Sequence, residues 1–335
     1  MAGADWLKTV MRIVFMGTPE FASAALECLV ASEHELALVV TQPDRRAGRG
    51  KKLQAPPVKA LAEKFGIEVF QPEKINTRSA RARVVEAKPD VVVVVAFGQI
   101  LRPLFLALPR HGCLNVHASL LPRHRGASPI NAQILHNDLE VGVTIMRMDE
   151  GLDTGPIGLR AALPANPRET AGELHDRLAP LGGKLIVEAL DALEVGDFVF
   201  EPQQAMAATY AGLMSKTDGQ LDFRRSAFEL DRQVRAYNPW PGAYADLISG
   251  DDPHRLKVLE CLPQDEQHEG EPGRILEAKG AAIRVLCGSG VLELLQVKPP
   301  GRRPMATRDF LNGARLSSDC HFSIPKSSED SHESD

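Results

Sequence analysis

Short apolar runs alternate with helical patterns through the first half of the chain. From Arg12 onward, runs rich in β-branched residues are separated by segments whose apolar positions recur at helical spacing. The run from Val91 to Phe97 is apolar at every position, which is typical of a strand buried on both faces of a parallel sheet. The pattern therefore predicts a doubly wound, Rossmann-like α/β domain with a parallel sheet. The predicted strands are 12–15, 36–40, 67–70, 91–97, one through residue 115 and 141–148, and the predicted helices are 21–31, 58–65, 77–87, one after residue 129 and 170–193.

The pattern changes in the second half of the chain. A helix is predicted at 226–236, and short apolar segments separated by Gly and Pro follow it. Several short strands at this spacing favour a small OB-like β-barrel. The predicted barrel strands are 255–261, 274–278, 282–286 and 291–297.

A chain of 335 residues is long for one domain and short for three, so two domains are the default expectation. Residues 196–215 show little periodicity and are interpreted as a linker, and the polar, acidic end of the chain is predicted to be disordered. We therefore predict an N-terminal extension at 1–10, the α/β domain at 11–195, the linker at 196–215, the OB-like domain at 216–317 and a disordered tail at 318–335.

Composition narrows the classes of function. A formal charge of −5 argues against a protein that coats nucleic acid over its whole surface, so a polyanionic partner needs a local basic patch. The five cysteines stand far apart, without disulfide-framework or zinc spacing, which predicts reduced thiols and no metal. No apolar segment approaches the roughly 20 residues of a membrane span. We expect a cytoplasmic monomer that does not contact membranes.

Candidate chemistry gathers in the stretch CLNVHASLLPRHRG, which begins at Cys113. Asn115 and His117 share one face of a strand, because alternate side chains in a strand point the same way. Both lie near the carboxyl end of that strand, where open α/β sheets bind ligands. Asp153 lies in the Gly-rich turn after the next predicted strand, and we expect it to reach the same crevice from a neighbouring strand end.

These three residues suit acyl transfer by direct attack of an amine on a carbonyl carbon. Asn115 would donate a hydrogen bond to the developing oxyanion, a contact worth about 3 kcal/mol. His117 is expected to be held protonated by Asp153 and to act as a second donor, since a nearby carboxylate raises an imidazole pKa. Asp153 would then help remove the proton from the attacking amine.

Each of these signals has a structural alternative. Asn-x-His at a strand end is often a turn former with a half-exposed histidine, and Gly-Leu-Asp-Thr-Gly is also a plain tight-turn sequence. Ser119 is a possible nucleophile, but no G-x-S-x-G elbow surrounds it. A dehydrogenase is rejected, because the sequence after Gly17 lacks the other glycines of the dinucleotide-binding fingerprint.

A basic loop follows the second predicted strand and should overhang the same crevice. A flexible cationic loop at this place would suit a polyanionic substrate, because Arg and Lys neutralise phosphates. A solvated charged loop without a ligand is the alternative. The cations of the loop are Arg45, Arg46, Arg49, Lys51 and Lys52.

Taken together, the motifs resemble the folate-dependent formyltransferase family. The residues that carry the resemblance are CLNVHASLLPRHRGASPINAQI and, after a spacer, GVTIMRMDEGLDTG. The family shares Asn-x-His ahead of Ser-Leu-Leu-Pro and an Asp in the later loop, which fall here on Asn115, His117 and Asp153. The resemblance extends from residue 12 to residue 312 and includes IVFMGTPEFA, TQPDRRAGRGKK and NPWP.

The resemblance implies a reaction and its partners. The formyl donor would be 10-formyltetrahydrofolate, and no metal is implied. Within the family, the match is to the branch that formylates methionyl initiator tRNA for translation initiation. The basic loop and the OB-like domain would then contact tRNA. The residues expected to hold the folate are Ser119, Leu120, Leu121 and Pro122.

Two rival functions remain. A relative could use the same three residues on a sugar-nucleotide amine or a purine precursor. A purine enzyme would not explain the C-terminal domain, and a sugar-nucleotide enzyme usually continues into a dehydrogenase-like domain, which this sequence lacks. A non-catalytic tRNA-binding protein with the same fold is a rival of another class, and it predicts indifference to Asn115→Ala.

Overall fold

The computed structural model describes residues 10–47, 50, 52–196, 198–250, 252–314, 316–317 and 319–325. These residues form two compact units. The first comprises the described residues within 1–129, 139–165 and 175–212, and the second comprises those within 130–138, 166–174 and 213–335. Each unit thus draws on several stretches of the chain, whereas the predicted domains are continuous in sequence.

Up to residue 211, strands alternate with helices along most of the chain. In chain order they are β1 (Arg12–Gly17), α1 (Glu20–Val30), β2 (Glu35–Val40), β3 (Arg45–Ala47), β4 (Lys52–Gln54), α2 (Pro57–Lys64), β5 (Val69–Phe70), α3 (Arg78–Glu86), β6 (Val91–Val95), α4 (Pro103–Leu106), β7 (Cys113–His117), β8 (Arg125–Gly126), α5 (Pro129–Leu135), β9 (Glu140–Arg147), β10 (Ile157–Pro164), α6 (Ala171–Val195) and β11 (Tyr210–Ala211).

Seven of these strands form the central sheet of the first unit, in the order β10-β9-β7-β6-β1-β2-β5. Strands β5, β2, β1, β6 and β7 are parallel neighbours. Every residue of β6 is buried, as its uniformly apolar sequence predicts. The doubly wound α/β prediction is confirmed for this part of the sheet.

At the other edge the sheet is mixed. Strand β9 is antiparallel to β7, and β10 is antiparallel to β9. The expectation of a sheet that is parallel throughout is therefore wrong at this edge. The six central residues of β9 are all buried, so its apolar run resembles a parallel strand and its sequence contains no signal of direction. Strand β10 is not among the predicted strands.

The second unit contains the predicted barrel. Its elements are α7 (Ala227–Ala236), β12 (Tyr244–Ser249), β13 (Asp252–Gln264), β14 (Ile275–Lys279), β15 (Ala282–Leu286), β16 (Val291–Lys298), β17 (Met305–Ala306), α8 (Thr307–Gly313) and β18 (His321–Phe322). The strands pair in the order β14-β15-β16-β13-β12-β18, with β17 beside β16. A bridge between Arg274 and His321 brings the two ends of this order together. The predicted OB-like barrel is confirmed as a nearly closed antiparallel barrel.

Strand β18 differs from the tail predicted to begin at residue 318. Phe322 is 1% exposed and lies against Phe223, with ring centroids 5.3 Å apart. The polar composition of the end of the chain gave no indication that Phe322 is buried. Residues 326–335 and residues 1–9 of the predicted extension lie outside the described residues.

An ionic network around the buried carboxylate of Asp231 links residues 166–174 to the rest of the second unit. Asp231 on α7 is 4% exposed, and its carboxylate accepts hydrogen bonds from Arg168 Nη1 at 2.7 Å and Arg235 Nε at 2.9 Å. Arg168 also donates to the Cys261 carbonyl oxygen at 2.5 Å. A buried carboxylate needs such paired partners, because an unpaired buried charge is strongly destabilising.

Candidate functional site

Asn115 and His117 lie on β7, opposite Met146 and Thr144 of β9. Their side chains share a face, as the alternation of a strand requires. Asn115 is half-buried, and within the described part of the chain its side-chain amide makes no hydrogen bond. The amide is therefore available to donate to a bound molecule.

The orientation of the His117 ring is set by a backbone carbonyl. His117 is 5% exposed, and its Nε2 lies 3.0 Å from the His124 carbonyl oxygen. Because a carbonyl oxygen only accepts, Nε2 carries the proton of this contact. In the neutral ring the lone pair is then on Nδ1.

His117 and Asp153 meet, as the sequence predicts. His117 Nδ1 lies 3.7 Å from Asp153 Oδ2, and the same oxygen accepts the Gly126 N–H at 2.7 Å. Asp153 does follow a strand that neighbours β7, as expected, but that strand is antiparallel to β7. Strand β9 runs against β7, so its last residue, Arg147, lies opposite Leu114 rather than beside the end of β7. The 149–155 loop instead returns Asp153 towards His117.

The 149–155 loop is held by its own hydrogen bonds. Asp149 Oδ1 accepts from the Gly151 N–H at 3.1 Å and from the Thr154 hydroxyl at 2.7 Å. Asp153 itself has φ +51°, a left-handed conformation that Asp tolerates better than most residues but that still costs about 1 kcal/mol. The loop is thus both the predicted tight turn and the carrier of a site residue.

Burial lowers the pKa of His117 below its ordinary value of 6.5, and the Asp153 carboxylate raises it by a smaller amount. This direction runs against the expected protonated imidazole, which stays a prediction. Removing the ring from water disfavours the imidazolium more than the carboxylate at 3.7 Å favours it. In the neutral ring, Nδ1 is a proton acceptor.

The Ser-Leu-Leu-Pro turn is fixed by Thr144 of β9. The Thr144 hydroxyl donates to the Ser119 carbonyl oxygen at 2.7 Å and accepts the Leu121 N–H at 3.0 Å. The Ser119 hydroxyl donates to the Arg123 carbonyl oxygen at 2.6 Å and is fully buried. Ser119 is therefore not presented as a nucleophile.

The four predicted folate residues differ in exposure. Ser119 and Leu121 are buried and build the turn, whereas Leu120 and Pro122 are partly exposed. The second pair, together with the backbone of the turn, offers a surface to a ligand. The folate-binding role of the four residues stays a prediction.

The predicted basic loop is a two-stranded hairpin of β3 and β4 rather than an irregular loop. Arg45 and Arg46 lie on β3, and Lys52 begins β4; all three are exposed. Arg49 and Lys51 lie outside the described residues.

A cavity of about 440 Å³ lies beside this hairpin, at the carboxyl ends of β1, β2 and β6. Strand β6 neighbours β7, so the cavity lies at the same edge of the sheet as His117. Arg45 reaches its wall and donates to Gln42 Oε1 at 3.2 Å. The lining residues are Thr18, Pro19, Gln42, Pro43, Arg45, Gln54, Ala55, Pro56, Ala96, Phe97 and Gly98.

The sequence gives no sign of several residues that build the site. Gln203 and Thr209 fall in the predicted linker but hydrogen-bond to the loops around Asp153 and His124. Gly126 has φ +114°, and a Cβ there would collide with the Ala211 carbonyl oxygen. These roles depend on contacts between distant stretches of chain, which periodicity does not report.

Two family models match the chain. The model described as formyl transferase covers residues 11–190, and the model described as formyl transferase, C-terminal domain, covers residues 213–315. No helix in the described part of the chain is both long and apolar enough to cross a bilayer.

Curated relatives match along almost their whole length. A methionyl-tRNA formyltransferase of Aromatoleum aromaticum is 47% identical over 312 residues, which cover 93% of this chain and 97% of the relative. A protein of the same name from Chromohalobacter salexigens is 48% identical over 305 residues, which cover 90% of this chain and 93% of the relative.

Solved structures share the fold at low identity. The sugar 3N-formyltransferase WlaRD, determined in the presence of dTDP and 5-N-formyl-THF, has a TM-score of 0.63 and 17% identity, covering 88% of this chain and 100% of that one. HypX from Aquifex aeolicus, in complex with tetrahydrofolic acid, has a TM-score of 0.59 and 18% identity, covering 90% of this chain and 47% of that one.

The protonation state of His117 is open to a direct test. In ¹⁵N-histidine NMR, we expect its titration midpoint to lie below 6.5, with the proton on Nε2 in the neutral ring. Asp153→Asn should lower the midpoint further, because the carboxylate raises the pKa of His117. His117→Asn assigns the signal. A midpoint above about pH 7 would show that the carboxylate outweighs burial.

Proposed function

Because this chain belongs to the formyl transferase family, we propose that it transfers a formyl group from 10-formyltetrahydrofolate to the α-amino group of methionine on initiator tRNA, for translation initiation. The observation that carries the proposal is the 47% identity to a methionyl-tRNA formyltransferase over 93% of this chain. The barrel unit is included in that match. The enzyme would supply the formylmethionyl initiator tRNA.

Asn115 would stabilise the oxyanion of this reaction. When the amine nitrogen attacks the formyl carbon, the carbonyl oxygen gains a full negative charge. The Asn115 amide, which makes no hydrogen bond within the described residues, would donate to that oxygen. A donor placed in advance contributes about 3 kcal/mol to the transition state.

His117 would carry the proton from the amine to the folate. Its neutral ring has a lone pair on Nδ1, which would accept the proton that the attacking nitrogen loses. Asp153, 3.7 Å from that nitrogen, would stabilise the imidazolium that forms. The proton would then pass to N10 of the folate as the bond from N10 to the formyl carbon breaks. Asp153 thus supports the base instead of acting as the base predicted from sequence.

The folate would lie against the Ser-Leu-Leu-Pro turn. Leu120 and Pro122 offer partly exposed apolar surface, and the fixed backbone offers hydrogen-bonding groups. Apolar walls with a few placed polar groups are typical of small-molecule sites. Ser119 and Leu121 would act by holding the turn.

The acceptor tRNA would meet the cationic hairpin. Arg45, Arg46 and Lys52 are exposed at the carboxyl edge of the sheet, and Arg49 and Lys51 add positive charge in the sequence between them. Their charges would neutralise phosphates of the acceptor stem. The barrel unit would add further tRNA contacts. A monomeric state and a cytoplasmic location stay predictions.

The reaction is tested by incubating the protein with methionyl initiator tRNA and 10-formyltetrahydrofolate and weighing the released amino acid by mass spectrometry. We expect formylmethionine from wild type and a turnover about 100- to 1,000-fold lower from Asn115→Ala, because one oxyanion donor is lost. Asn312→Ala, an exposed position on α8, should keep wild-type turnover.

Two results would contradict the proposal. Formylation of a sugar-nucleotide amine in place of the charged tRNA would indicate the rival enzyme. Tight tRNA binding without formyl transfer, with no effect of Asn115→Ala, would indicate a non-catalytic binding protein.

The hairpin has its own test. Arg46→Ala should weaken the use of charged tRNA by roughly three- to tenfold and leave the KM for the folate unchanged, because one phosphate contact is lost. The slope of log affinity against log salt should fall by about one. Lys64→Ala removes an exposed cation at the far end of α2 and serves as control. If Arg46→Ala weakened the use of charged tRNA and of the folate equally, the hairpin would not be a tRNA-binding element.

A further inference from the structure

The 201–211 segment contacts both loops that form the candidate site. Glu201 and Ile157 exchange two backbone hydrogen bonds of 2.8 Å, at the end of the 149–155 loop. Ala211 accepts the Ala127 N–H at 2.9 Å and pairs with Gly126 in the β8–β11 ladder. A segment predicted to be a linker therefore contacts the loops that carry the candidate catalytic residues.

Gln203 joins the two loops through its side chain. Its Nε2 donates to the Asp153 carbonyl oxygen at 2.8 Å and to the Gly155 carbonyl oxygen at 2.7 Å. Its Oε1 accepts from Arg125 Nε at 3.1 Å and Nη2 at 2.7 Å. A glutamine amide has two N–H donors and an oxygen with two lone pairs, so every position of the amide is used.

Arg125 extends this connection to the carboxylate of Asp153. Arg125 is 4% exposed, and the next residue, Gly126, donates its N–H to Asp153 Oδ2 at 2.7 Å. Gln203 therefore contacts the main chain of Asp153 directly. It also contacts Arg125 of β8, and the next residue of that strand, Gly126, holds the Asp153 carboxylate. The position of the carboxylate depends on both.

The same segment supports the histidine side of the pair. The Thr209 hydroxyl oxygen accepts the His124 N–H at 2.9 Å, and the His124 carbonyl oxygen accepts from His117 Nε2. Thr209 also accepts the Arg125 N–H at its carbonyl oxygen, at 2.8 Å. His117 and Asp153 are thus positioned from one stretch of chain.

Asp153 needs this external support. Its φ of +51° is unfavourable, and the neighbouring Leu152 is 60% exposed, so apolar packing does little to hold the loop. The carboxylate must nevertheless stay close to His117 Nδ1, because a misplacement of about 1 Å at a reacting group can cost on the order of 100-fold in rate.

We propose that Gln203 is a positioning residue of the reaction: it holds the 149–155 loop so that the Asp153 carboxylate faces His117. This inference rests on the proposed function. Gln203 would not touch the substrate and would act through Asp153.

Two variants separate the contacts of Gln203. Gln203→Ala removes all of them. Gln203→Glu keeps an oxygen for Arg125 but loses both N–H donors and places a carboxylate oxygen against the Asp153 and Gly155 carbonyl oxygens. Both should lower kcat about 10- to 100-fold and leave the KM for charged tRNA nearly unchanged. Gln204→Ala, the exposed neighbour, is the matched control and should behave as wild type.

A double-mutant cycle tests whether Gln203 acts through Asp153. In single-turnover formylation, Gln203→Ala should slow the wild type about 10- to 100-fold but slow Asp153→Asn less than about threefold, because the positioned group is already absent. A residue that only supports folding would give the same fold-loss in both backgrounds. Thermal unfolding of each variant shows whether it is folded.

A pH profile gives a second measurement that does not depend on the activity of Asp153→Asn. The charged or titratable neighbours of the His117 ring are Asp153, which raises its pKa, and His124, which lowers it. Loosening Asp153 should therefore move the acid limb of kcat in Gln203→Ala to lower pH, with no movement in Gln204→Ala.

The outcomes separate the two proposals. Absence of formyl transfer by wild type overturns the proposed function. If the wild type is active, any of three results overturns the role of Gln203. These are a wild-type rate for Gln203→Glu, equal fold-losses in the double-mutant cycle, and an acid limb of the kcat profile that does not move in Gln203→Ala.

Discussion

The candidate site depends on the antiparallel pairing of β9 with β7. This pairing places Thr144 opposite His117, where its hydroxyl holds the Ser-Leu-Leu-Pro turn, and it sends the chain away from the carboxyl edge before the 149–155 loop returns. Asp153 reaches His117 only because that loop folds back, in a left-handed conformation that needs hydrogen bonds from elsewhere. A parallel β9 would end at the other edge and present a different loop. The antiparallel edge of the sheet thus determines both the conformation of the Ser-Leu-Leu-Pro turn and the position of the Asp153 carboxylate.

Burial of the His117 ring determines which proton transfers this arrangement favours. The His117 ring is buried and donates from Nε2 to a carbonyl oxygen, so burial lowers its pKa although a carboxylate lies 3.7 Å away. A neutral imidazole with a lone pair on Nδ1 suits a reaction in which an amine loses a proton to the site and a folate nitrogen gains one. In the proposed mechanism the Asp153 carboxylate would contribute most when the imidazolium forms. This differs from a preformed oxyanion-binding imidazolium.

Local patterns predicted most of the fold. The uniformly apolar β6 and the helical spacing of α7 are where the sequence places them, because burial on both faces and amphipathic packing leave clear periodicities. The meeting of His117 with Asp153 was also predictable, although not its route. The direction of β9 and the contacts of Gln203 were not predictable, because they depend on hydrogen bonds between residues distant in sequence. A glutamine in an aperiodic segment also has no local signal. The β3–β4 hairpin pairs nearby stretches, 45–47 with 52–54, and was missed because this highly charged stretch has no strand pattern. The lowering of the His117 pKa by burial was not predicted, because burial of the ring is a tertiary property.

The central claim is that Asn115, His117 and Asp153 meet around one formyl group. A crystal structure of the protein with a stable 10-formyl folate analogue tests it most directly, by the distances from the formyl group to these side chains. We expect the formyl oxygen at about 3 Å from Asn115 Nδ2, with the formyl carbon on the side of the His117 ring that carries Nδ1. A formyl group bound away from Asn115, with His117 and Asp153 facing no part of the ligand, would contradict it.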